Sequence, residues 1–130
     1  AVAACDGRFS PKQKVALMQK FNFIVFTNAV EGTDDEFNDW YTNQHLHDVM
    51  KIPGVVSAQR FVRSEKQRDP GPFEWKYLAI YNCETDDVME IIGQIKKRVG
   101  TDDMPISETL AQKRFFCVFE PITDLVSASK

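Results

Sequence analysis

The chain has 130 residues, 43% hydrophobic and 27% charged, which suits one domain with a packed core and excludes both wholesale disorder and a multidomain machine. Sixteen basic and nineteen acidic side chains leave a formal charge of −3, without the basic footprint of a nucleic-acid or anionic-membrane binder. No apolar run reaches the ~18 to 20 residues of a membrane span, and Ala1–Ala4 give way to Cys5 and Asp6 instead of forming a signal-peptide core. The three cysteines, Cys5, Cys83 and Cys117, show no CxxC spacing, so a reducing cytoplasm is the expected setting, with neither a disulfide framework nor a zinc site.

In chain order, residues 1–19 read as an arm or short helix after Pro11, ahead of a domain over 20–122 and a tail over 123–130. Lys20 to Asn28 is β-branched and aromatic on both alternations, as a strand covered on two faces would be. Gly32-Thr33-Asp34 breaks that strand, Thr33 or Asp34 caps a helix, and Pro53-Gly54 ends it, giving one helix over Asp34 to Lys51. Val55 to Ser64 is a second strand, and a turn-rich stretch around Asp69-Pro70-Gly71-Pro72 leads to a third over Glu74 to Asn82. Val88, Ile91, Ile92, Ile95 and Val99 space out a second amphipathic helix that Gly100 stops. Met104 to Ala111 is ambiguous, with a short helix as one reading, and Lys113 to Pro121 is a fourth strand.

The order βαββαβ is solved most simply by an α+β, ferredoxin-like fold: a four-stranded antiparallel sheet with both helices on one face. Both faces of that sheet read as apolar, since Phe21, Phe23 and Val25 alternate with Ile24 and Phe26, and Phe116 and Val118 with Phe115, Cys117 and Phe119. Two helices cover one face only. A second copy of the chain is the simplest cover for the other, which predicts a homodimer.

Both histidines lie on the first helix. At about 100° per residue, Phe37, Tyr41, His45, Asp48 and Ile52 share one side of it, which places Tyr41, His45 and Asp48 in the cleft between helix and sheet. His45 is then either a structural histidine bonded to Tyr41 or Asp48, or a general acid/base whose tautomer and raised pKa are set by Asp48, with Tyr41 donating to a developing oxyanion. Phe37, Trp40, Ile52, Phe23 and Tyr77 are the expected substrate-binding surroundings. His45 and His47 diverge and lack paired i, i+4 ligand spacing, so no metal is expected. Cys83 and Cys117 read as core residues, Trp75, Tyr77 and Tyr81 as aromatics of one sheet face, and Lys96-Lys97-Arg98 as the solvated side of the second helix.

The stretch EFNDWYTNQHLHDVMKIPGVVSAQRFV resembles the signature of the EthD-like branch of the dimeric α+β barrel superfamily. Phe37, Trp40, Tyr41, His45, Leu46, Asp48, Pro53 and Gly54 match in place, and His47 stands where that family commonly has Pro. The resemblance covers Lys20 to Val62 by motif and the remainder by element order. It implies a dimeric α+β barrel with its pocket between helices and sheet, and it places His45 in that pocket. Relatives of this kind include cofactor-independent monooxygenases, polyketide cyclases, dehydratases and lactone isomerases, and some dimeric barrels bind haem. The expected function is a cofactor-independent lyase or isomerase acting on a small aromatic or polyketide-like compound, with no cofactor. The alternatives are a noncatalytic binding or accessory protein for a hydrophobic metabolite, a cofactor-free monooxygenase, or haem degradation.

Overall fold

A computed structural model describes residues 18–129. The arm expected over 1–19 lies outside the described residues except for its last two, and Gln19 opens the first strand. The elements are β1 (Gln19–Thr27), α1 (Asp34–Trp40), a π-helical turn (Tyr41–His45), α2 (Leu46–Met50), β2 (Val55–Val62), β3 (Tyr77–Thr85), α3 (Val88–Arg98) and β4 (Phe115–Phe119). All neighbours in the sheet order β2-β3-β1-β4 are antiparallel, so the two long strands β1 and β3 form its centre. Phe23 sits opposite Tyr81 on one side and Val118 on the other.

Period-two alternation divides the sheet into unlike faces. Phe21, Phe23, Val25, Ala79, Tyr81 and Cys83 point toward the helices and are buried with Phe37, Tyr41, Val49, Ile52 and Ile91. Phe37 is completely buried, and a side chain of that size contributes about 1.5–3 kcal/mol. Ile24, Phe26, Leu78, Ile80, Phe115 and Phe119 point the other way; Phe115 and Phe119 remain more than half exposed. No helix among the described residues is long and apolar enough to cross a membrane.

The first helix departs from the single regular rod that the spacing predicts. Its middle turn is π-helical, and one such i→i+5 turn delays every later side chain relative to 100° spacing. Thr33 holds the N-cap position without a capping bond, because its hydroxyl donates to Val30 O at 2.6 Å. Asp87 does cap α3, accepting from Met89 N at 3.0 Å.

The third strand also begins later than Glu74. The side-chain amide of Asn28 donates to Glu74 O (3.0 Å) and accepts from Lys76 N (2.8 Å), so this backbone bonds a side chain rather than a neighbouring strand. Trp75 consequently stands apart from Tyr77 and Tyr81 and packs beside Phe26, which points to the open face. Met104 to Ala111 forms no helix. It is an extended loop tied back by Val30 N to Thr109 O (2.7 Å) and Ala111 N to Asn28 O (3.0 Å). The tail beyond Thr123 has no regular structure through residue 129.

The turn between α2 and β2 needs glycine at position 54, where φ is +99° and an added Cβ would lie 2.9 Å from Ile91 Cδ1. Gly54→Ala is expected to cost roughly 1–3 kcal/mol. Urea unfolding should show a lower midpoint at unchanged slope; an unchanged midpoint contradicts the assignment.

Candidate functional site

The cleft between helices and sheet holds a cavity of about 350 Å³. Phe23, Val25 and Thr27 of β1 and Tyr81 of β3 form its floor, while Tyr41 and His45 of the π turn and Val49 of α2 form one wall. Met104, Ile106 and Leu110 of the loop after α3 form another. That loop is held in place partly by the Trp40 indole, which donates to Pro105 O at 3.3 Å. Lys96 and Arg114 also line the cavity and are exposed.

The wider π turn sets His45 between its two preceding aromatics. Trp40, five residues earlier, stacks on the imidazole at 4.8 Å between centroids, and Tyr41 meets it edge-on at 4.8 Å. Its Nδ1 is buried and bonded to nothing, so His45 is bonded to neither Tyr41 nor Asp48 through that atom. Thr27 Oγ1, at the end of β1, is likewise buried without a partner. Two unpaired polar atoms in one mainly apolar cavity are the arrangement a ligand's own polar groups would complete.

Burial lowers the pKa of His45 from its usual 6.5 to about 4, and the positive charges of Arg114 and then Arg60 act in the same direction. The carboxylate-supported increase expected from the sequence is therefore reversed. Asp48 does not oppose this: it stands outside the cavity lining, and its carboxylate lies 3.7 Å from Lys51 Nζ with Oδ2 buried and unbonded. Val49 occupies the cavity wall instead.

Tyr41 is held on three sides. Its hydroxyl lies 3.1 Å from that of Tyr81, with either able to donate. The Arg60 guanidinium sits 4.4 Å from its ring centroid and is fixed by bonds to Thr42 Oγ1 (2.9 Å) and Asn38 Oδ1 (3.0 Å). Burial raises the pKa of Tyr41 and, more strongly, of Tyr81, so both stay protonated at neutral pH. One hydroxyl hydrogen serves the pair and the other is left to donate.

Of the expected surroundings, Phe23 lines the cavity. Phe37 and Ile52 are packed in the core behind it, and Trp40 supports His45 from outside the lining. Tyr77 belongs to the opposite end of the helix, where its hydroxyl donates to Asp34 Oδ2 (2.6 Å) and accepts from Asn38 Nδ2 (3.2 Å). The Tyr77 hydrogen bond and then Lys76 lower the Asp34 pKa. Among the site residues that sequence reasoning missed are Thr27, Tyr81, Arg114, the Met104–Leu110 loop and Lys96, which was expected only on the solvated side of its helix. Thr27 was detectable as the polar end of the Phe21-Phe23-Val25 alternation; Arg114 had no such signal. Cys83 is a buried core thiol whose pKa burial raises, and among the described residues no three His, Cys, Asp or Glu side chains cluster as a metal site would require.

The fold is shared with the crystal structure of an ethyl tert-butyl ether D (EthD) family protein from Bacillus halodurans C-125. The TM-score is 0.53 at 15% sequence identity, over 79% of this chain and 99% of that one. No protein-family model and no curated relative matches the sequence. The likeness agrees with the motif resemblance and shows the α+β, ferredoxin-like architecture.

A histidine whose folded pKa lies below its unfolded value contributes stability that is complete above about pH 6.5 and lost as pH falls toward 4. Here the loss is roughly 3 kcal/mol. Imidazole NMR titration should place His45 near 4, and His45→Gln should flatten the stability profile between those pH values. Titration of His45 near 6.5 contradicts this account.

Proposed function

We propose that the cleft binds a small, largely apolar, aromatic or polyketide-like compound and catalyses proton transfer within it without a cofactor, as a dehydration, cyclisation or isomerisation requires. The observation that carries this reading is the pairing of His45 Nδ1 with Thr27 Oγ1 as unbonded polar atoms of one apolar cavity, beside a protonated Tyr41–Tyr81 pair. At neutral pH His45 is a neutral imidazole, the form that accepts a proton from a carbon acid. The free hydroxyl hydrogen of the tyrosine pair stabilises the negative charge that develops on the adjacent oxygen. An anionic intermediate also offsets the repulsion from Arg114 and Arg60, so His45 becomes more basic as charge develops. Asp48 stands outside the cavity lining in this scheme and does not orient the imidazole.

A noncatalytic binding role is the second reading, favoured by one observation: Nδ1 of His45 has no partner to fix its tautomer. Solvent-deuterium incorporation into a panel of β-diketones and phenolic ketones, followed by NMR at neutral pH, separates the two. Incorporation by the unmodified protein should fall about 10²- to 10⁴-fold in His45→Gln. Undiminished incorporation in that variant refutes a proton-transferring His45, and tight binding with no incorporation in either protein establishes the binding role.

The same proposal includes a homodimer joined through the open sheet face. Phe115 and Phe119 are 52% and 58% exposed there, and the following tail carries Ile122 and Leu125 at 96% each. Sedimentation should give twice the 14.9 kDa chain mass, and Phe119→Lys should shift it to one chain. A monomer at micromolar concentration contradicts the assembly.

A further inference from the structure

The lining of the cleft is asymmetric in charge. Lys96, in the last turn of α3, and Arg114, just before β4, are its two permanently charged side chains, and it contains no carboxylate. Neither cation has a salt-bridge partner among the described residues, and Arg114 makes a 3.3 Å bond from Nε to Gln112 O that leaves its terminal nitrogens available. Other basic residues, such as Lys20, Lys66 and Lys97, also lack an ion pair among the described residues, so the local feature is that two cations border one cavity whose lining has no acid, in a chain of formal charge −3. The charge of Arg114 is felt inside the cleft, where it helps hold His45 neutral. Behind these exposed cations the walls are aliphatic and aromatic, and the unpaired polar atoms of Thr27 and His45 are buried.

A cavity lined in this way has a definite complement. Its apolar walls reward a hydrocarbon body, its cations reward an anion, and its buried unpaired atoms reward a neutral hydroxyl or carbonyl. A second cation in the ligand would meet repulsion from Arg114 and Lys96. We propose that the ligand of this cleft is an amphipathic carboxylate: a ring-bearing apolar body whose carboxylate is held at the rim by Arg114, with Lys96 beside it, and whose hydroxyl or carbonyl meets His45 Nδ1 and Thr27 Oγ1. The inference rests on the reading that the cleft takes a small molecule, and it narrows the class of compound. Arg114 thereby becomes a specificity-determining residue.

The test uses a matched pair of probes, 6-hydroxy-2-naphthoate and its uncharged amide, with affinities measured by calorimetry on the full chain at low salt. The acid should bind about tenfold or more tightly than the amide. Arg114→Gln should remove most of that preference while leaving affinity for the amide within about twofold, and combination with Lys96→Gln should abolish it. Both positions are exposed, so the variants should fold, and their thermal unfolding serves as the control. Equal binding of acid and amide overturns the carboxylate inference and leaves the small-molecule cleft standing. A preference that survives both substitutions overturns it as well, because the anion then sits elsewhere. Failure of both probes to bind overturns the inference together with the reading on which it rests.

Discussion

The site depends on the burial of Tyr41. Its ring lies under the Arg60 guanidinium, its hydroxyl faces that of Tyr81, and its edge meets His45. Two of these contacts join the helical segment to the sheet, through Arg60 of β2 and Tyr81 of β3, and the third ties Tyr41 to His45 at the far end of the same π turn. A regular α-helix would carry Trp40 and His45 around the axis at spacing that does not stack five residues apart. The π turn brings them face to face. The local irregularity is thus the geometry that brings an imidazole edge into the cavity while the aromatic packing beneath it remains intact.

The electrostatic character of the cleft follows from the same packing. Burial removes water from His45, Tyr41 and Tyr81 together, and each responds by favouring its neutral form. The charged residues nearby are cations, so they reinforce neutrality in the imidazole. A cavity lined by neutral hydrogen-bonding groups and bordered by positive charge acts most strongly on a species that gains negative charge after entering. This is why the arrangement suits proton abstraction or anion capture better than stabilisation of a carbocation.

Much of the architecture was legible in the sequence because it depends on period-two and helical repetition, as in Phe21-Phe23-Val25 and Val88-Ile91-Ile95. The placement of His45 and Tyr41 in the cleft was legible for the same reason. The position of Asp48 was not, since extrapolation at constant angle fails past an inserted π turn, and no residue type in YTNQH announces one. The start of β3 was hidden because Asn28, distant in sequence, bonds the Glu74–Lys76 backbone. Arg114 escaped notice because a lone arginine before a strand becomes informative only when its surroundings contain no acid.

The open face of the sheet is not uniformly apolar. Asn22 lies on it and accepts no strand-like isolation: its amide nitrogen donates to Asn82 Oδ1 at 2.6 Å, and the Asn82 amide nitrogen donates to Ser57 Oγ at 2.8 Å, linking three adjacent strands. This polar row lies at one end of the ladder, with Phe119 opposite Asn22 and with Phe26 and Phe115 at the other end. Any surface laid over the face must therefore offer matching hydrogen bonds or water to the amides beside Phe119, while staying dry over Phe26 and Phe115. Sliding or reversing the covering surface would strand amides against rings. The row acts as an alignment mark, restricting by desolvation cost which of many possible apolar contacts is tolerated.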